Sequence, residues 1–91
     1  MATRYRRLDG VDEERLDDER ILLHPTTANM CVLNETAAIL WDAVAEFDTA
    51  DALAQLIVEG RPEIAETESR AFVDTFVRDL SAAGLLLAVE S

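Results

Sequence analysis

Hydrophobic periodicity changes along this chain at Asn34, and that change constrains the fold more than any other feature. Before it, apolar residues fall in short runs of strand length. After it, they recur every three or four residues, as one face of a helix requires. The change is abrupt within 30-MCVLNETAAILWDAV-44. Met30–Leu33 reads as a strand. Asn34 stands where an N-cap belongs, since its side chain can accept from N–H groups that a first helical turn leaves free. Glu35 puts a carboxylate beside the positive end of the helix dipole. From Glu35 to about Glu46, the residues Ala37, Leu40, Trp41 and Val44 form one apolar stripe, and Phe47 and Asp48 close the helix. A strand that runs directly into a helix leaves a junction for either the protein's own core or a guest peptide.

Upstream of the junction, Val11–Leu16 is a charged strand, Asp17, Asp18 and Glu19 form an acidic turn, and Arg20–His24 is a second strand. Pro25 ends that run because it cannot donate to a ladder. Thr26–Asn29 is a polar turn, without the glycine that hairpins often carry. The three strands predict an antiparallel meander. Residues 1–10 show little periodicity and are expected to form a flexible arm. Downstream, Thr49 caps a second helix running to about Glu59, with Leu53, Leu56 and Ile57 inward, and Gly60, Arg61 and Pro62 break the chain. A third helix carries Phe72, Val73, Phe76, Val77 and Leu80 inward and ends at Gly84 as its C′ residue. Leu85–Val89 is an apolar tail that either packs under the sheet or pairs briefly. The expected fold is α+β, a three-stranded antiparallel sheet followed by a three-helix bundle, in the manner of a winged helix-turn-helix. Its expected bounds are residues 11–87, with 88–91 as a tail.

Charge narrows the functional classes. The chain has 91 residues and a formal net charge of -11, from 19 acidic residues against 8 basic ones, all arginine. Such a field repels phosphate backbones and argues against nucleic acid as a partner. The helices of a DNA reader would show basic and polar side chains outward. Here the second helix shows Asp51, Gln55 and Glu59, and the third shows Glu68, Asp74 and Asp79 beside Arg70 and Arg78. No apolar run approaches the ~20 residues of a membrane helix. The basic start of the chain has no apolar stretch behind it to make a secretory signal. A lone cysteine, Cys31, excludes an intrachain disulfide. These features lead to a cytoplasmic expectation, and the arginine-only, alanine-rich composition to a GC-rich bacterial source.

Most catalytic constellations lack parts. His24 and Cys31 are the only histidine and cysteine, and no third residue is evident to orient the imidazole. The same pair is too few for a zinc site without carboxylates. The glycines at 10, 60 and 84 are isolated, so no phosphate loop exists. The acidic cluster 12–19 lacks the alternation of a calcium loop. Ser69, Ser81 and Ser91 are the only serines, and none sits in the Asp-Ser-Leu setting of an acyl carrier. The chain is read as no enzyme, with no cofactor and no metal.

The run 22-LLHPTTANMCVLNETAAILWDAV-44 resembles the PqqD family, small proteins of coenzyme PQQ biosynthesis, and the wider group of RiPP recognition elements. The matching features are "LLHP" at a strand end, "VLNETAAILW" at the junction, the Thr49 cap and "LSAAGLL" closing the third helix. The resemblance covers about residues 11–87. It implies a non-catalytic module that binds the leader segment of a ribosomal precursor peptide and presents it to a modifying enzyme, a radical-SAM protein in the PQQ case. It also implies that the leader adds a strand to the sheet, in the cleft between the third strand and the third helix. The strand met by the guest would be Met30, Cys31, Val32 and Leu33, with Met30 and Val32 on one face and Cys31 and Leu33 on the other. On the third helix, Phe72, Phe76, Asp79 and Ala83 lie along one edge of the stripe. Phe72 and Phe76 either line the cleft or belong to the core, and Asp79 or Arg78 would meet a charge on the leader. Leu33, Ala37, Leu40 and Trp41 are assigned to the core, and Cys31 is read as a small buried hydrophobe. The other class open to such a chain is a small structural or regulatory winged-helix protein that dimerises, by swapping the strand edge or the tail.

Overall fold

The computed structural model describes residues 3–90. Two antiparallel sheets share one core with three helices. The larger sheet has the order β2-β3-β4, made of β2 (Asp12–Leu16), β3 (Glu19–Leu23) and β4 (Met30–Leu33). Then follow α1 (Glu35–Ala43), α2 (Ala50–Gly60) and α3 (Glu66–Ala82). The expected meander and three helices are all present. The smaller sheet pairs β1 (Thr3–Arg7) with β5 (Leu86–Glu90), in the register Thr3↔Glu90 to Arg7↔Leu86.

The small sheet corrects the flexible arm expected over residues 1–10 and carries the fold past residue 87, with the apolar tail paired, one of the two outcomes expected of it. Thr3–Arg7 is anchored by its ladder and by the Tyr5 N–H, which donates to the Asp48 carbonyl at 2.8 Å. Local periodicity missed it because three of its five residues are arginines. Arg7 nevertheless faces inward, its guanidinium 5.4 Å from the centre of the Trp41 ring, a cation–π contact that hides the charge on an apolar surface. The partner strand also lies at the other end of the chain, beyond any local pattern. Met1, Ala2 and Ser91, the outermost parts of the expected arm and tail, lie outside the described residues.

The core forms where the inward faces of the larger sheet, the helices and β5 meet. Leu22, Leu33, Leu40, Trp41, Val44, Leu53, Val73, Leu80, Leu85 and Leu86 are buried there. Each fully buried side chain of this size contributes roughly 1.5–3 kcal/mol. Asn34 and Thr49 cap α1 and α2 as expected, accepting from the N–H groups of Ala37 and Ala52. Gly84 follows α3 at φ 76, a left-handed conformation that suits glycine. Buried Ser69 donates from its hydroxyl to the Ala54 carbonyl at 2.7 Å, tying α3 to α2.

Among the described residues, one charged side chain is buried in this core. Arg20, on the inward face of β3, is buried and donates through both terminal nitrogens to the Asp42 carboxylate of α1. It also approaches Glu13 of β2 at 3.4 Å. The Arg20 hydrogen bonds hold the Asp42 carboxyl below the usual carboxylate range. The sheet is thereby pinned to the helix that follows it.

Candidate functional site

In β4 the side chains alternate as a strand requires. Leu33 is buried and Cys31 half-buried, both toward the helices, whereas Met30 and Val32 are exposed on the outer face. The partners across β3 are Leu22 for Cys31 and Arg20 for Leu33. One further bond in the same register settles the backbone directions. The His24 N–H donates to the Asn29 carbonyl at 2.9 Å, so 24↔29 is a hydrogen-bonded pair. Such pairs alternate along an antiparallel ladder. Cys31 and Leu33 therefore direct their backbone groups to β3, and Met30 and Val32 direct theirs to the opposite, unpaired edge.

Beside that edge lies a groove of about 400 Å³. Cys31, Val32 and Leu33 form its strand side. Asn34, Thr36, Ala37 and Leu40 supply the floor from the cap and first turns of α1, and Phe72, Thr75, Phe76, Asp79 and Leu80 the wall from α3. The junction that stands out in the sequence thus builds two sides of the groove. Of the residues expected at a cleft, Cys31, Val32, Leu33, Phe72, Phe76 and Asp79 come together here. Met30 directs its side chain to the outer face beside Ile21 and Leu23, and takes part in the edge only through its backbone. Arg78 is exposed beside Asp79, its Nε 3.6 Å from Oδ1, and Ala83 packs at the C-cap of α3; neither lines the groove. The two phenylalanines differ: Phe76 is 5 % exposed and joins core to groove, whereas Phe72 is 40 % exposed. Leu40 and Ala37, assigned to the core, also reach the groove floor.

Sequence reasoning read Asn34 only as a cap and passed over Thr36 and Thr75. Thr75 is three residues after Phe72 and four before Asp79, the spacing of one helix face. A search for apolar residues alone skips it.

The groove's chemistry suits binding. Burial, with the Asp79 charge adding to it, pushes the Cys31 thiol up from its ordinary value, so the nucleophilic thiolate is disfavoured. His24 is held in the turn before β4, where its Nδ1 accepts from the Thr26 and Thr27 N–H groups, each at 3.1 Å. Among the described residues no group of three or more His, Cys, Asp or Glu is placed to hold a metal ion, and no helix is long and apolar enough to cross a membrane.

An antiparallel sheet whose β4 edge is unpaired and lies beside a groove walled by a helix is a geometry found in folds that accept a peptide strand. The chain belongs to the PqqD family: the family described as coenzyme PQQ synthesis protein D matches residues 19–86. Two solved structures share its fold. One is TbiB1 in complex with the TbiA(beta) leader peptide, with a TM-score of 0.80 and 21% identity over 94% of this chain and 99% of that one. The other is a lasso peptide synthetase B1 complexed with the leader peptide, with a TM-score of 0.75 and 22% identity over 92% of this chain and 98% of that one. No significant match is found among curated proteins.

Proposed function

We propose that this chain is a non-catalytic leader-peptide binding module, which captures a ribosomal precursor peptide by strand addition and presents it to a modifying enzyme in RiPP or PQQ-type biosynthesis. The observation that carries the reading is the free edge of β4, whose Met30 and Val32 backbone groups face a groove flanked by Phe72 and Phe76. Backbone hydrogen bonds would supply affinity, and the apolar groove a pocket for alternate guest side chains. Membership of the PqqD family and the leader complexes of the two fold relatives support it. The modifying enzyme is a radical-SAM protein if the product is PQQ. Burial disfavours the Cys31 thiolate and the turn engages His24 Nδ1, which supports a binding role.

The test is a titration with the leader segment of the precursor peptide encoded beside this chain, on wild type and on Val32→Pro. Proline at 32 removes an N–H aimed at the guest and leaves the β3 ladder whole, as edge strands tolerate. Wild type should bind at micromolar concentration or tighter. The variant should lose about tenfold or more, from one unmade hydrogen bond and the ring's bulk, with thermal stability within a few degrees of wild type. Equal affinity for both proteins refutes strand addition at this edge.

A further inference from the structure

The groove is not chemically uniform along its length. Two observations orient it. Asp79 adds its charge to the environment of Cys31, at the beginning of β4. His24, at the end of β3 before the turn, lies against Gly84, where a Cβ would stand 3.4 Å from Nε2. The C-terminal end of α3 therefore meets the start of β4, and Phe72 stands two helical turns away, towards the end of β4. That separation is about 10 Å at 1.5 Å per residue.

Apolar side chains dominate the groove: Leu33, Leu40, Phe72, Phe76 and Leu80 all reach it. Asp79 is the only charged residue among those that line it. Its side chain is 60 % exposed, and its ion-pair partner Arg78 lies at 3.6 Å with 75 % of its own side chain in solvent. A pair so exposed satisfies the carboxylate weakly.

Resting on the proposed strand capture, we infer that Asp79 is a specificity-determining residue, which selects guest peptides carrying a lysine or arginine on the same face as their apolar anchor. Same-face positions of an extended guest recur every two residues, roughly 6.6–6.8 Å. A side chain two or four positions from a residue seated beside Phe72 therefore brackets the 10 Å to Asp79. The long, flexible stem of lysine or arginine covers the difference. The field of this acidic chain acts in the same sense, speeding encounter with a basic guest.

A random-peptide display library, selected in parallel on wild type, Asp79→Asn and Asp79→Lys, tests this. Wild type should enrich Lys or Arg two or four positions from an apolar residue. Asp79→Asn should lose that enrichment while still selecting the apolar residue, and Asp79→Lys should enrich Asp or Glu in its place. Individual basic peptides should bind Asp79→Asn about two- to fivefold more weakly than wild type at low salt, as an exposed pair allows, with the difference shrinking as salt rises. Selection of apolar peptides with the same charge preference on all three proteins overturns the role of Asp79 and leaves strand capture standing. Failure of all three to select any peptide overturns both.

Discussion

The sheet β2-β3-β4 has two edges, and they are treated oppositely. At one, β2 is exposed throughout and reads Asp-Glu-Glu-Arg-Leu, four charges in five residues. At the other, β4 reads Met-Cys-Val-Leu with no charge at all. An open edge invites pairing with another chain, and charged side chains are a usual way to prevent it. The protein blunts β2 and leaves β4 bare beside a groove. The difference supports β4 rather than β2 as the edge proposed to receive the guest, an argument that needs no relative.

The sharpest way to break this comparison separates the two phenylalanines of the groove wall. Phe76 is buried and Phe72 is not. Phe76→Ala should cost about 3 kcal/mol or more of folding stability, as large-to-small changes in cores do, measured by denaturant unfolding. Phe72→Ala should cost less than about 1 kcal/mol of stability, as a partly exposed site does, yet weaken leader binding about tenfold or more, the loss expected of an aromatic anchor. Equal losses of binding and stability for Phe72→Ala would return it to the core and leave the groove without its wall.

A smaller effect reports on how the sheet is held to α1. Arg20 keeps the Asp42 carboxyl below its ordinary range, so the ionised form is favoured in the folded state. Its stabilisation is present above the unfolded carboxylate range, near pH 4, and is lost as pH falls through the folded value. Asp42→Asn should lower stability by about 1–2 kcal/mol at pH 7, the range for a charge-assisted bond discounted for a half-exposed carboxylate. It should also flatten the acid side of the stability profile below about pH 4. Thermal melts from pH 7 to 3 on both proteins would check this, and parallel profiles would contradict it.

The smallest expected effect concerns the turn that delivers β4. Ala28 has φ 62, a left-handed conformation that costs an L residue roughly 1–2 kcal/mol. Ala28→Gly relieves that strain but frees the unfolded chain, so a net gain of about 0.5–1 kcal/mol is expected. Leader affinity should stay within about twofold, since no residue of this turn lines the groove.

These outcomes also mark how much was legible in the sequence. The junction was, because a strand's end, an N-cap and an amphipathic helix are all written within fifteen consecutive residues. The groove wall was partly legible, since Phe72, Phe76 and Asp79 share a helix edge that spacing alone reveals. Thr75 was not, because a stripe drawn from apolar residues alone skips a threonine on the same face. The β1–β5 sheet was hidden for two physical reasons: its strands pair across nearly the whole chain, and Arg7 conceals its charge on Trp41. Arg20 presented the same difficulty within β3, a charge on an inward position that only its pairing with Asp42 explains.

The most direct measurement is backbone amide hydrogen exchange, read by NMR, along β4 with and without saturating leader peptide. In the free protein, Cys31 and Leu33 should already be protected by β3, whereas Met30 and Val32 should exchange quickly at the open edge. With leader bound, protection should rise at Met30 and Val32. Bound peptide that leaves both amides exchanging as before would contradict strand addition and require the guest to bind elsewhere.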